Sequence, residues 1–142
     1  MDWTLEVVVV PVADVARAKE FYAEKLGFHV DHDTETPDGH RFVQLTPPGS
    51  GCSIVIGTLG TTGGPPEMSP GSQRGLQLVV ADLRAGHAEL AGRGVEVSEV
   101  QVWDAGALRP AGEDDALDNV GFFFLEDPEG NGWVVQQISA RG

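Results

Sequence analysis

The densest run of reactive side chains in this 142-residue sequence is His29-Val30-Asp31-His32-Asp33. An imidazole beside a carboxylate is suited to moving protons near neutral pH. Strand alternation, however, sends side chains three residues apart to opposite faces. His29 and His32 therefore read as structural or surface groups, without a shared site. His40 opens the next β segment on the same face as Phe42 and Gln44, where it would line the rim of a binding site. His87 falls within a helical pattern and reads as a solvated side chain. Cys52 is the only cysteine, so no internal disulfide or cysteine-rich zinc site can form; it reads as a buried thiol. No Ser-His-Asp or Cys-His set emerges from the spacing. No glycine-rich turn is followed by Lys and Ser or Thr at phosphate-loop spacing.

Aromatic residues give the better binding signal. Phe122 and Phe124 share one strand face while Phe123 takes the other, and Trp103 ends a neighbouring strand. Such rings offer large contact areas to flat or cationic ligands. Phe123 and Trp133 read as core. Residues 104–119 contain Asp104, Glu113, Asp114, Asp115 and Asp118, and read as an exposed acidic loop beside Trp103.

The elements that would position these groups occur twice. Leu5 to Val12 is an apolar run closed by Asp14, an amphipathic stretch and Leu26-Gly27-Phe28; Leu76 to Val80 is closed by Asp82, a second amphipathic stretch and Arg93-Gly94-Val95. Each copy reads strand, capped helix, glycine stop, strand. Val7 to Val10 are β-branched and suit a strand. Val15, Ala18, Phe21, Tyr22 and Leu26 recur at helical spacing and face the sheet. Strands follow at 28–33, 40–46 and 52–57. In the second copy they follow at 95–103 (one long strand, or a strand with a bulge near Glu99), 120–125 and 133–138. The reading is one α+β domain over 1–142, with a βαβββ module at 4–57, a linker at 58–74 and a second βαβββ module at 75–139. Asp127-Pro128-Glu129-Gly130-Asn131-Gly132 has turn chemistry, and its acids read as turn formers.

Acidic residues number 22 against 9 basic, a formal charge of −13. That balance repels a phosphate backbone and anionic membrane surfaces, so nucleic acid and membranes are not expected partners. It attracts cationic ligands. The longest apolar runs are strand-length, and the N-terminus lacks a basic region with a secretory apolar core, so a cytoplasmic location is expected.

Val12-Ala13-Asp14, Phe21-Tyr22, Leu26-Gly27-Phe28 and the second copy ending in Asp127-Pro128-Glu129-Gly130-Asn131 together resemble the vicinal oxygen chelate superfamily. That superfamily includes glyoxalase I, bleomycin resistance proteins and extradiol dioxygenases. The resemblance covers nearly the whole chain and implies two βαβββ modules whose sheet curves into a cup. In metal-using members, His, Glu or Gln from the first and fourth strands of each module hold a divalent cation. The matching positions here are Val7, Gly75, Val134 and a residue at or near Ser53. Valine and glycine supply no donor and serine is a poor one, so no metal and no cofactor are expected. Gln77 and Gln136 lie two residues beyond Gly75 and Val134 and would share the cup face, supplying hydrogen bonds.

These considerations favour a metal-free binding protein of the bleomycin-resistance type. It would form a homodimer and sequester a bulky, aromatic or cationic antibiotic or natural product through Trp103, Phe122, Phe124, Gln77, Gln136, His40 and Ser53. The alternative is a metal-independent isomerase, cyclase or lyase using His40 or an acid from 104–119. A metal-dependent lyase or dioxygenase stands third.

Overall fold

The computed structural model describes residues 1–57 and 68–140, so residues 58–67 of the expected linker lie outside the described residues. The fold is α+β, with two mixed sheets of four and five strands. Contacts divide the chain into two units. One comprises Met1–Gln73 with Asp127–Asn131, the other Arg74–Glu126 with Gly132–Gly142.

The first unit runs β1 (Val7–Pro11), α1 (Val15–Glu20), a π-helical turn (Phe21–Lys25), β2 (His29–Glu35), β3 (Arg41–Thr46) and β4 (Ser53–Gly57). β1 is parallel to β4, and β3 is antiparallel to β4 and β2, giving the order β1-β4-β3-β2. Asp14 caps α1 as its sequence position implies, accepting from the Arg17 N–H at 3.1 Å. The helix then widens. Leu26 N–H reaches back five residues to the Phe21 carbonyl, and adjacent Phe21 and Tyr22 are both buried. Gly27, at φ 76°, ends it. Val43, Leu45, Ile54, Ile56 and Val10 form the buried side of the sheet, with α1 against β3 and β4.

The Asp127–Asn131 turn belongs to this unit and does more than turn the chain. Asp127 accepts from the Tyr22 hydroxyl at 2.7 Å and from the backbone N–H groups of Glu129 and Asn131 at 2.9 Å. The Asn131 amide donates to the Pro11 carbonyl at 3.0 Å and accepts from Gln73 N–H at 3.0 Å. The Glu129 carboxylate accepts from Ala13 N–H at 2.7 Å and Asp14 N–H at 2.9 Å. The motif therefore pins the junction between β1 and α1. Gly71 fits against it because a Cβ there would stand 2.1 Å from the Glu129 carbonyl oxygen.

The second unit runs β5 (Leu76–Val80), α2 (Leu83–Gly92), β6 (Gln101–Asp104), β7 (Ala107–Pro110), β8 (Gly121–Glu126) and β9 (Gly132–Gln137), in the order β5-β9-β8-β6-β7. Asp82 caps α2 through Ala85 N–H at 3.1 Å. Leu83 N–H is taken by the Gln137 side-chain carbonyl at 2.9 Å.

Four expectations change. The strand expected over 95–103 shrinks to Gln101–Asp104, preceded by a single bridge from Val97 to Leu125. The Ser98 hydroxyl takes over a ladder position by accepting from Phe124 N–H at 2.9 Å. The expected loop at 104–119 contains β7, hairpinned to β6 through Ala105 and Gly106, both at positive φ. The acids had concealed it; Arg109 bonds Asp104 and Asp115 at 3.1 and 2.8 Å and neutralises them locally. His87 is not simply solvated: its ring meets Phe123 edge-on at 5.2 Å and its Nε2 lies 2.9 Å from the Ser98 carbonyl. Cys52 is half-buried rather than buried. Among the described residues, no helix is long and apolar enough to cross a membrane.

Candidate ligand-binding site

Period-two alternation divides the five-stranded sheet into unlike faces. Phe123, Leu125, Trp133, Val135 and Val102 are buried, and α2 packs on β8 and β9. The opposite face carries Phe122, Phe124, Val134, Gln136, Val79 and Gln101, all half-buried, with Gln77 exposed. Cross-strand register aligns them: Phe122 stands opposite Gln136 and Gln101, Phe124 opposite Val134, and Val134 beside Gln77. Trp103 follows Gln101 on the same face, 51% exposed and opposite Leu108. Five of the residues expected to bind ligand, Trp103, Phe122, Phe124, Gln77 and Gln136, thus share one surface. Sequence reasoning missed Gln101 and Leu108; the turn at Ala105-Gly106 was the signal for Leu108.

The amides on this face are ordered. The Gln136 side chain donates to the Asn119 carbonyl at 2.9 Å, and Gln77 donates to the Gln136 side-chain oxygen. The Gln77 carbonyl oxygen is left without a donor among the described residues. Rings, aliphatic side chains and oriented amides can stack a flat ligand and accept a hydrogen bond from it. Around the start of α2 lies a separate shallow cavity of about 320 Å³, lined by Ala81, Asp82, Arg84, Asp115, Leu117 and Gln137. None of the aromatic-face residues contributes to it.

The other two expected residues lie in the first unit. His40 is half-buried at the end of the Thr36–Gly39 turn, with its Nε2 3.7 Å from Asp38. Ser53 is buried in β4, its hydroxyl 2.6 Å from that of Thr46. Thr46 also donates to Asp31, whose other oxygen lies 3.0 Å from His29 Nδ1. The Thr46 bond first, and His29 second, hold the Asp31 carboxyl below the usual carboxylate range. A register shift between Val30 and His32 creates this arrangement. It also corrects the alternation argument: His29 pairs with Thr46 and His32 with Gln44, so both histidines fall on one face. No sequence signal marked the bulge, so the reach of Asp31 to Thr46 was missed.

The metal-ligand positions of the resemblance do not fit a divalent cation. Val7, Gly75 and Val134 have no side-chain donor, and a lone neutral hydroxyl at Ser53 cannot hold a divalent cation by itself. Register also moves the fourth position. Val134 pairs with Gln77, five residues before its helix cap, as Val55 pairs with Val9. The true counterpart of Val134 is Val55, another hydrocarbon. Among the described residues, no three His, Cys, Asp or Glu side chains converge.

Comparison with known proteins places these features in context. The model of the Glyoxalase/Bleomycin resistance protein/Dioxygenase superfamily matches residues 4–135. TnmS3, an antibiotic binding protein from Streptomyces sp. CB03234, is 31% identical over 97% of this chain and 98% of its own, with a TM-score of 0.70. A glyoxalase/bleomycin resistance protein from the same organism is 30% identical over 94% of this chain and 100% of its own, with a TM-score of 0.68. UcmS2 is 26% identical over 99% and 100% of the two chains, with a TM-score of 0.68. No curated protein matches the sequence significantly.

Proposed function

This chain belongs to the Glyoxalase/Bleomycin resistance protein/Dioxygenase superfamily, and from that premise we propose that it is a metal-free binding protein that sequesters an aromatic small molecule. The observation that carries the reading is the half-exposed face of Trp103, Phe122, Phe124, Val134 and the Gln77–Gln136 pair. A soluble sheet seldom leaves this much ring surface in contact with water without a use for it. The similarity to an antibiotic binding protein supports a bulky natural product as ligand. The charge of −13 favours one that carries a cation.

The face also argues for binding over chemistry. Trp103, Phe122, Phe124, Val79, Val134, Gln77, Gln101 and Gln136 include no group that titrates near neutral pH, and proton-transfer catalysis needs one. We further take the protein to be a homodimer. The exposed Met1, Trp3 and Leu5, just ahead of edge strand β1, form the surface that pairing would cover.

Thermal-shift screening against antibiotics and aromatic metabolites tests the reading, because a ligand selective for the folded state raises its melting temperature. We expect hits among polycyclic amines, with Trp103 emission quenched on titration and the ligand recovered unchanged. Recovery of a transformed ligand, or tight binding that survives replacement of Phe122 and Phe124 by alanine, would overturn it.

A further inference from the structure

We propose that the Ser53 hydroxyl is an acceptor-only subsite on the four-stranded sheet, selecting ligands that present a hydrogen-bond donor, and that Thr46 and Asp31 set this polarity. The inference rests on the protein being a small-molecule binder, but it concerns a different sheet from the aromatic face.

The polarity follows from counting protons. The ionised Asp31 carboxylate offers only lone pairs. Thr46 has one hydroxyl proton, and Asp31 takes it. The 2.6 Å contact between Thr46 and Ser53 must then be a donation from Ser53 to Thr46. Ser53 has spent its single proton, and its oxygen can only accept. Ser53 is 8% exposed, and no described residue donates to that oxygen. The donated bond satisfies the hydroxyl in the protein alone, and its remaining lone pair is open to a donor brought by a ligand. The aligned chain ending at a carboxylate also polarises the Ser53 oxygen, strengthening the bond it accepts.

The surroundings suit a ligand. Val7 and Val9 on β1, Val55 on β4 and Gln44 on β3 share the Ser53 face by register. Gln44 is half-buried, and its side-chain amide has no partner among the described residues. It lies diagonal to Ser53, at the roughly 7 Å spacing of such pairs. A hydroxyl or protonated amine donating to Ser53 would lie within reach of Gln44, with valine side chains around its hydrocarbon.

Three probes separate this polarity from the general attraction of an acidic protein for cations: 2-phenylethanol, its methyl ether and 2-phenylethylamine. The first two are neutral and differ only in having a proton to donate. Amide signals of Gln44, Thr46 and Ser53 in the isotope-labelled full chain report binding here, and the Trp103 indole N–H reports the aromatic face. We expect the alcohol and amine to move the Ser53 group of signals and the ether to bind about fivefold more weakly or worse. Thr46→Val preserves shape, frees the Ser53 proton and should bring ether and alcohol to parity. Ser53→Ala should abolish the alcohol response. Unchanged amide signals elsewhere confirm that each variant folds. Equal binding of alcohol and ether by the wild type, or an unchanged preference in Thr46→Val, overturns the proposal. So do still Ser53 signals while the Trp103 indole shifts, a result that leaves the aromatic-face reading standing.

Discussion

Phe122 and Phe123 are neighbours with opposite duties. Phe123 is fully buried against His87, whereas Phe122 is half-exposed between Gln136 and Gln101. Phe122→Ala should therefore weaken ligand binding by about tenfold, in the range for a central aromatic anchor, while barely moving the melting temperature. Phe123→Ala should unfold the protein more readily, by about 3–5 kcal/mol in chemical denaturation. Tyr22 provides a polar counterpart. It is fully buried, and its hydroxyl donates to Asp127. Tyr22→Phe keeps the ring but removes one of the two donors to the buried Asp127 Oδ2, the Asn131 amide at 2.7 Å being the other. A loss of about 1–3 kcal/mol in unfolding free energy is expected, with ligand affinity of the intact fold unchanged.

Among the elements, the β6–β7 hairpin stands out because it rests on charge. Neither β7 nor its turn buries an apolar side chain, and Arg109 joins Asp104 and Asp115 across it. The Arg109 guanidinium, followed by the Gly112 N–H, holds the Asp115 carboxyl down to about 2. Arg109→Ala should speed amide exchange over residues 107–109, while the Trp103 N–H, held by the Val120 carbonyl at 2.8 Å, stays protected. The global denaturation midpoint should hardly move, because exposed ion pairs contribute little to overall stability. Binding should suffer through Trp103 and Leu108, which that hairpin sets opposite one another.

For the whole molecule, the relevant quantity is proton uptake on unfolding. Arg41, then Lys19, hold Asp33 well below the usual carboxylate range, and Arg109 does the same for Asp115. Both carboxylates bind protons more readily when unfolded. Their contribution to stability is complete above the unfolded value of about 4 and disappears as pH falls through the depressed folded values. Denaturant midpoints should be flat from pH 7 down to about 4 and then fall towards pH 2. Asp33→Asn should flatten part of that fall. A profile with its steepest loss above pH 5 would contradict these assignments. Sedimentation provides a second measurement: the wild type should run as a dimer, and Trp3→Glu, which charges an exposed residue ahead of β1, should shift it to monomer.

Local rules account for what the sequence determined by itself. Asp14 and Asp82 announce helix starts because a cap needs only a side chain three residues from its donor. Phe122 and Phe124 share a face because strand side chains alternate, whatever surrounds them. The absence of donors at Val7, Gly75 and Val134 is likewise a property of the residues themselves. Tertiary structure decided the rest. Asp127 meets Tyr22 across 105 residues and Glu129 meets Ala13 across 116, so a motif legible as a turn proved to be a pin. One extra residue in β2 aimed Asp31 at Thr46 and put His29 and His32 on the same face. Register depends on the partner strand, and a hydroxyl's polarity depends on who takes its proton; neither is written in the spacing of one segment.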